Sequence, residues 1–381
     1  MTLAWAFAAE SEPLADSGAA RYRPARRILE EAVREKAFPG CAAAVGTSRE
    51  VLWEDGVGGL DYESRDRATP ATIYDLASLT KVVGTTLVIL ALVRDGKLNV
   101  TDPVCRHLPP FAGGGRETVT IEDLLCHCGG LPAWRPLYEG RHGYEEVLAA
   151  ALATPLERPP RTSELYSDLG FILLGEIAAR AGGEPLDALE RKLVALPCSL
   201  RSTTRKLEAA DFARVAPTER RKVRQTDGSE LLVTTRGVVH DENAAAADGR
   251  TGHAGLFSTA DDLARLASQL LLAYHGESNV FPQELARKFL TRRNLVPGSS
   301  RALGWDTPAR GSSAGDLLGE RSFGHTGFTG TSIWIDPDRD LYVILLTNRV
   351  HPSRENSKIA AVRRRFADAV VLCREGKLRR L

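Results

Sequence analysis

Residues 82–93 are apolar on every side of the helix that they predict. A helix that is hydrophobic all round lies inside a protein, so we expect this one at the centre of a packed core. The segment is shorter than the roughly 18 apolar residues of a membrane span, and it contains Gly84, Thr85 and Thr86. We therefore predict a folded protein without a membrane span. The apolar side chains are Val82, Val83, Leu87, Val88, Ile89, Leu90, Leu92 and Val93.

A serine and a lysine precede this segment at a spacing that suits nucleophilic catalysis. Ser78 and Lys81 are three residues apart, so on a helix they share one face. No other serine of the chain has a lysine three positions later. A serine hydroxyl becomes a good nucleophile when a neighbouring group takes its proton, and a lysine of lowered pKa can do this. By itself, the pair fits a helix-capping serine beside a surface lysine equally well.

Composition excludes several classes of protein. The 381 residues exceed a typical domain of roughly 100–150 residues, so we expect two domains or one core with a large insertion. Fifty basic and 49 acidic residues leave a formal charge of +1, which favours neither nucleic acid nor an anionic membrane as a partner. The six cysteines are scattered along a long chain, unlike a disulfide framework.

The predicted elements place strands near both ends of the chain and helices between them. The end segments are a helix over 21–38, a hairpin of 41–45 and 51–57, a second hairpin of 329–335 and 341–347, and a helix over 353–373. Helical spacing recurs in the middle at 121–128, 144–153, 169–181, 186–195, 260–273 and 282–290.

This order predicts an α+β fold, an α/β sandwich in which both chain ends build one antiparallel sheet with flanking helices. Residues 21–97 together with 302–381 would form the α/β domain, and 98–301 a mostly helical inserted domain, with a cleft between them. Residues 1–20 would be an N-terminal extension. Its short apolar run lacks a preceding basic residue, so it makes a poor signal peptide and favours a cytoplasmic location.

Two further stretches carry residues that could complete a site with the serine and lysine. Tyr166 and Asp168 stand at the start of a predicted helix, whose end could hold the phenol in place. His325, Thr326 and Gly327 begin the terminal hairpin, where a bare glycine would let a substrate backbone approach an edge strand closely. Taken singly, these are also a core tyrosine, a helix cap and a turn before a strand.

Together the three elements S-x-x-K, Y-x-D and H-T-G resemble the motifs of the penicillin-recognising serine hydrolases. That group contains class C β-lactamases, serine D-Ala-D-Ala carboxypeptidases, D-aminopeptidases and related esterases. Residues 124–132 (LLCHCGGLP) look like the family's LLTHTSGLP stretch, and 252–259 (GHAGLFST) are similar to its GHAGLFST stretch. The resemblance covers nearly the whole chain and implies a β-lactamase/transpeptidase-like fold.

The resemblance also implies a reaction and the residues that perform it. Ser78 would be the nucleophile, Lys81 a base or proton relay, and Tyr166 a general acid and base. The backbone N–H groups of Ser78 and Phe328 would form the oxyanion hole. The reaction would be acylation of Ser78 by an amide or ester, namely a D-amino-acid peptide, an ester or a β-lactam, followed by hydrolysis. We expect it to need no cofactor and no metal.

The substrate, a small molecule or a short peptide, would be bound by Asp168, His325, Thr326 and Gly327. Two of these residues depart from the family's pattern. Asp168 replaces the usual Asn, and an ionised carboxylate only accepts hydrogen bonds, so it would hold Lys81 cationic and leave the proton to Tyr166. His325 replaces the lysine common in β-lactamases and gives a weaker fixed charge near neutral pH. This favours a carboxypeptidase or esterase over an efficient β-lactamase.

Three alternatives stand beside this interpretation. Residues 311–315 fit the G-x-S-x-G motif of α/β-hydrolases, but they lack the predicted strand before and helix after that the motif requires. Residues 126–128, or 240–242 with His253, could be imagined as the ligands of a metal-dependent hydrolase. However, the spacing of 126–128 matches no common zinc site, and 240–242 with His253 lie in predicted loops without the one-turn helical pairing of zinc proteases. Finally, Asp168 breaks a motif residue, so the chain could be a catalytically silent peptidoglycan- or ligand-binding homologue.

Overall fold

The computed structural model describes residues 18–63, 65–225 and 228–378. Most of the predicted extension 1–20, including its apolar run, therefore lies outside the described residues. Within these ranges, no helix is long and apolar enough to cross a membrane. The α-helices are α1 (Gly18–Arg21), α2 (Arg23–Arg34), α3 (Thr86–Arg94), α4 (Val104–His107), α5 (Ile121–Leu125), α6 (Tyr144–Ala153), α7 (Asp168–Gly182), α8 (Leu186–Glu190), α9 (Glu242–Ala246), α10 (Ala260–His275), α11 (Gln283–Leu290) and α12 (Ile359–Arg374).

Strands from both ends of the described chain form one antiparallel sheet in the order β2-β1-β9-β8-β7. This confirms the predicted fold class. Two shorter sheets pair β3 with β6 and β4 with β5. The strands are β1 (Gly40–Gly46), β2 (Val51–Gly58), β3 (Tyr74–Asp75), β4 (Arg220–Arg224), β5 (Glu230–Thr234), β6 (Phe257–Ser258), β7 (Phe323–Thr326), β8 (Ser332–Asp336) and β9 (Leu341–Thr347).

Alternate residues of the central strands face two different cores. Ala42 and Ala44 of β1 pack into the core that contains the buried helix α3, whereas Cys41, Ala43 and Val45 face α2 and α12. This follows from the two-residue period of a strand. Because these side chains are small, helices can pack closely on both faces of the sheet.

The helical predictions for the middle of the chain agree with the structure in most places. Helices α6, α7, α10 and α11 match the predicted segments within about two residues. Thr259 caps α10, since its hydroxyl accepts the Asp262 N–H at 3.2 Å. The prediction over 121–128 was too long, because α5 ends at Leu125.

Two differences concern the predicted boundaries. The strand predicted from residue 329 begins only at Ser332, because residues 327–331 form the turn that leaves β7. Helix α10 lies within the predicted insertion, yet it packs on β1 and β9, and Ser268 Oγ donates to the Thr47 carbonyl at 3.0 Å. The division into residues 21–97 with 302–381 and residues 98–301 stays a prediction.

Candidate active site

The predicted nucleophile lies where β3 leads into the buried helix. Ser78 occupies the turn after β3, and the helix begins at Leu79. Lys81–Thr85 is a π-helical turn that continues into α3. Lys81 Nζ donates a hydrogen bond to Ser78 Oγ at 3.0 Å. The central apolar helix was thus predicted correctly, and its first turn brings the serine and the lysine together.

Two threonine hydroxyls fasten the nucleophile turn to the sheet. Thr329 Oγ1 donates to the Asp75 carbonyl at 2.7 Å, and Thr331 Oγ1 donates to the Leu76 carbonyl at 3.0 Å. Both threonines lie in the loop between β7 and β8. The turn therefore has a fixed position relative to the β7 strand, which carries the H-T-G motif.

Lys81 is completely buried and has three oxygen atoms around its ammonium group. Asp168 Oδ1 lies 2.7 Å from Lys81 Nζ, and the His253 carbonyl accepts from it at 3.0 Å, in addition to the Ser78 hydroxyl. Burial by itself would lower the pKa of Lys81, but the Asp168 carboxylate and the Tyr166 phenol outweigh burial and raise it above its ordinary value. Lys81 is therefore a cation at neutral pH.

Tyr166 lies just before α7 and packs beside this cation. The Lys81 ammonium is 5.0 Å from the centroid of the Tyr166 ring, and the rings of His127 and His325 lie at 4.5 Å and 5.8 Å. Burial raises the pKa of Tyr166, while the Lys81 charge and the Ser78 hydroxyl oppose the rise. The phenol is thus protonated at neutral pH and close to the nucleophile.

The start of α7 is held in place by side chains of the LLCHCGGLP stretch and its neighbours. Ser167 caps the helix, because its hydroxyl accepts the Gly170 N–H at 3.3 Å. The Ser167 N–H in turn donates to His127 Nδ1 at 3.0 Å. Desolvation holds the pKa of His127 well below its usual range, so this ring is a neutral support beneath Tyr166.

His325 is a neutral imidazole in strand β7. Its Nδ1–H donates to the Thr326 carbonyl at 2.8 Å, which leaves Nε2 as an acceptor. Burial and the nearby Arg301 charge lower the pKa of His325 to about 3. At neutral pH this residue can accept a proton or hydrogen bond, but it carries no positive charge for a substrate carboxylate.

Gly327 follows β7 at a point where no side chain fits. A Cβ atom there would overlap Thr331 Oγ1 and the Leu76 carbonyl. The Gly327 N–H donates to the Thr331 carbonyl at 2.8 Å, which closes the turn. Glycine at this position therefore lets the β7 edge approach the nucleophile turn.

Six of the predicted residues, all except Lys81 and Asp168, line a cleft of about 490 Å³ that is rich in arginine. Phe328 is 48% exposed at this cleft, with the Arg349 guanidinium 4.3 Å from its ring centroid. Among the described residues that line the cleft, Asp306 is the only acidic one. The residues of the described chain that line the cleft are Ser78, Tyr166, Arg301, Asp306, Gly311, Ser312, Ser313, His325, Thr326, Gly327, Phe328, Trp334, Arg349, Ala360, Arg363 and Arg364.

The competing G-x-S-x-G motif lacks the structure that it would need. Residues 311–315 lie in turns, with neither a strand immediately before nor a helix immediately after them in the described chain. Ser313 Oγ accepts the Trp334 indole N–H at 3.1 Å. Ser313 is therefore part of the cleft wall and does not stand on a nucleophile elbow.

The two sets of imagined metal ligands are placed differently in the structure. Cys126 Sγ lies 3.6 Å from the Ala302 carbonyl, and Cys128 Sγ lies 3.7 Å from Asp123, so the two thiols have separate environments. Side-chain donor atoms of Asp168, Asp241 and His253 do come within 4.8 Å of one another. However, the Lys81 ammonium already lies against Asp168, and His253 Nε2 is 2.8 Å from Asp241 Oδ1.

Several residues at the site were not assigned to this site from the sequence. His127 lies in the LLCHCGGLP stretch, which was the available signal for it. Arg301, Arg349 and Arg363 lie outside the quoted motifs, and only the folded chain brings them to the cleft. The structure thus adds a cationic wall to the residues that the motifs had indicated.

The β-lactamase family model matches residues 25–367. The chain belongs to the β-lactamase family. A putative D-alanyl-D-alanine carboxypeptidase of Escherichia coli (strain K12) is 32% identical over 328 residues, which cover 77% of this chain and 73% of the relative. An N-acetylmuramyl-L-alanine amidase of Bacillus subtilis (strain 168) is 32% identical over 346 residues, which cover 82% of this chain and 78% of the relative.

Solved structures agree with this membership at the level of the fold. EstCE1, described as a hydrolase with promiscuous acyltransferase activity, superposes with a TM-score of 0.73 at 21% identity, over 93% of this chain and 98% of that one. The predicted family and the predicted fold are confirmed. The prediction that the chain is a serine hydrolase of the β-lactamase family is confirmed as well.

Proposed function

We propose that this β-lactamase-family hydrolase forms an acyl-enzyme on Ser78. The observation that carries the proposal is the 3.0 Å hydrogen bond from Lys81 Nζ to Ser78 Oγ, with Ser78 lining the cleft. Because Asp168 keeps Lys81 protonated, the lysine does not remove the serine proton. It donates to Ser78 Oγ and stabilises the negative charge that develops there when the oxygen attacks a carbonyl carbon.

We assign the proton transfer to Tyr166. Its raised pKa means that the phenol is protonated before the reaction, so it works as a relay. The Ser78 proton passes to Tyr166 Oη while the Tyr166 proton passes to the nitrogen or oxygen of the leaving group. Water then attacks the acyl group, and the relay runs in reverse to restore the Ser78 hydroxyl. General acid and base catalysis of this kind contributes roughly 10²–10⁴-fold to a rate.

The tetrahedral intermediate needs donors for its oxyanion, and we assign these to the backbone N–H groups of Ser78 and Phe328. Both residues line the cleft. The threonine bonds from the β7–β8 loop to the nucleophile turn support this assignment, because they fix one donor relative to the other. His325, Thr326 and Gly327 would form the strand edge along which the substrate lies.

The cationic wall supports a substrate that carries a carboxylate. Arg349 and Arg363 donate to backbone carbonyls only, and neither forms an ion pair with a carboxylate of the described residues. Burial and the neighbouring Arg349 lower the pKa of Arg363 to about 9, which reflects an uncompensated charge. A peptide that ends in D-alanine would bring a carboxylate to this wall, and such a substrate fits the name of the Escherichia coli relative.

The substrate proposal can be tested with a matched pair of peptides. An acyl-D-Ala-D-Ala peptide and its C-terminal amide differ in one charge, and a charged hydrogen bond contributes about 1.5–3 kcal/mol. We expect kcat/KM for release of the last residue to be about 10–150-fold higher for the free acid. Equal values would contradict carboxylate recognition. Activity that persists in Ser78→Ala would contradict the nucleophile.

A further inference from the structure

Asp75 is a buried carboxylate that lies three residues before Ser78 and belongs to none of the motifs. It is 2% exposed and is the last residue of β3. Oδ1 accepts the Ala77 N–H at 2.8 Å, and Oδ2 accepts the His240 N–H at 2.6 Å. The two oxygens thus join the nucleophile turn to a segment that is 165 residues away in sequence.

Both bonds hold groups that matter for the reaction. Ala77 has φ of 46°, a left-handed conformation that is uncommon for residues other than glycine, so its N–H bond stabilises an unfavourable turn directly before Ser78. The His240 ring packs on the Phe328 ring, with centroids 5.7 Å apart. Asp75 therefore links the nucleophile to the residue that we assign to the oxyanion hole.

The charged groups around Asp75 do not neutralise it. Among the described residues no cation forms an ion pair with this carboxylate, and its partners are backbone N–H groups. Asp241 opposes its ionisation and Arg221 favours it, both from positions beyond direct contact. Strand β6, which pairs with β3, and residues 329–331, which bond to the Asp75 carbonyl, contain no titratable side chain. Burying an ionised carboxylate without a paired cation costs folding free energy, which is unusual for a residue that only supports the fold.

We propose that ionised Asp75 is a positioning residue that holds the Ser78 turn in its reactive geometry, and that its protonation slows acylation. The proposal rests on the proposed function of Ser78. The ionised carboxylate can accept from Ala77 and His240 at once. A protonated carboxyl offers one good acceptor oxygen and one O–H, so one of the two backbone bonds is weakened.

The pH range of this effect separates Asp75 from Lys81, Tyr166, His240 and His325. Burial raises the pKa of Asp75 to about 6, against the two backbone hydrogen bonds that lower it. Burial lowers the pKa of His325 to about 3 and that of His240 to about 4, while Lys81 and Tyr166 have raised pKa values. An acid limb near pH 6 therefore belongs to Asp75 and to none of these four groups.

The test is the pH dependence of kcat/KM for a neutral p-nitrophenyl ester between pH 5 and 8.5. Asp75→Asn imitates the protonated carboxyl, since an amide also has one acceptor oxygen and one donor. We expect kcat/KM of the wild type to fall below pH 6. For Asp75→Asn we expect kcat/KM to be independent of pH and equal to the low value of the wild type in acid, about tenfold or more below the value of the wild type at neutral pH. KM should change little. A limb that persists in Asp75→Asn, or a variant with full neutral activity, would overturn the proposal.

Two further measurements guard against a trivial loss of structure. Thr329→Val removes the hydroxyl bond to the Asp75 carbonyl while leaving the carboxylate, so this variant should lose rate but keep the limb. If Asp75→Asn does not fold, the rate at which a fluorophosphonate labels Ser78 of the wild type is measured against pH. We expect this rate to fall below pH 6 as well, and a labelling rate that does not depend on pH would refute the inference. Retention of ester hydrolysis by Ser78→Ala would instead contradict the proposed function.

Discussion

The substitution Asp168→Asn tests how the site keeps Lys81 charged. It replaces a carboxylate by an amide of nearly the same shape, so the oxygen 2.7 Å from Lys81 Nζ can remain while its charge is lost. Lys81 keeps its bonds to Ser78 and to the His253 carbonyl. The perturbation is therefore almost purely electrostatic at a lysine that is completely buried.

The magnitude follows from the separation of the pair. Two unit charges at this distance interact by about 6 kcal/mol at an effective dielectric constant of ~20. Measured effects of an adjacent opposite charge are smaller, about 1–3 pK units or roughly 1.4–4 kcal/mol, because water and protein dipoles respond. Without Asp168, desolvation dominates and lowers the pKa of Lys81. We therefore expect the fall of kcat/KM at basic pH to begin about 1–3 pH units lower in the variant than in the wild type.

The assay is the pH dependence of kcat/KM from pH 6 to 11 with a neutral ester. Stability should fall by about 1.4–4 kcal/mol at neutral pH, because the buried ammonium has lost its counter-charge. Asp338→Asn is the control, since it removes a carboxylate paired with Arg321 at the surface. A profile of Asp168→Asn that coincides with the wild type would refute our account of Lys81.

Two more substitutions address the geometry and the proton relay. Gly327→Ala places a Cβ against Thr331 and the Leu76 carbonyl, and the backbone shift would displace the neighbouring Phe328 N–H. We expect kcat to fall by about 10²–10³, the usual effect of losing an oxyanion donor. The control is Gly170→Ala, where the atom nearest to the new Cβ would be 3.6 Å away, and its kcat should stay near that of the wild type. Tyr166→Phe should lower kcat by roughly 10²–10⁴ with an unchanged melting temperature, and a small effect on kcat would exclude Tyr166 as the relay.

Local sequence patterns were sufficient to predict the buried helix and the sheet hairpins, and to indicate part of the candidate site. The apolar run over 82–93 predicts a buried helix because burial on every side requires apolar residues at every position. The hairpin strands β1 and β2 were predicted from short apolar runs separated by a turn. Ser78, Lys81 and Tyr166 were found because each belongs to a short motif that a family resemblance could identify.

Other features depend on contacts between distant parts of the chain. The π-helical turn at Lys81–Thr85 places Gly84 against Glu190, and a pattern read from residues 82–93 contains no trace of that neighbour. Arg363 reaches the cleft from α12, where it donates to the Gly327 carbonyl at 2.7 Å. Asp75 belongs to none of the quoted motifs, and the role that we propose for it depends on the hydrogen bond from the distant His240 N–H.

The β4–β5 hairpin shows why a helical middle was predicted too broadly. Its residues are mostly exposed, so they do not show the alternation of buried and exposed positions that identifies a strand. Arg220 pairs with Glu63 and Lys222 with Glu230, and the apolar side chains of β5, such as Leu231 and Leu232, are exposed.

Intact-mass analysis of the reacted protein tests the central claim most directly. Wild-type protein and Ser78→Ala are each exposed to penicillin and to an activated ester, quenched in acid and weighed, and the modified peptide is then sequenced. The account predicts one acyl group per wild-type chain, located on Ser78, with at least one of the two reagents, and no adduct on Ser78→Ala. An adduct of the same mass on Ser78→Ala, or on another residue of the wild type such as Ser313, would contradict it.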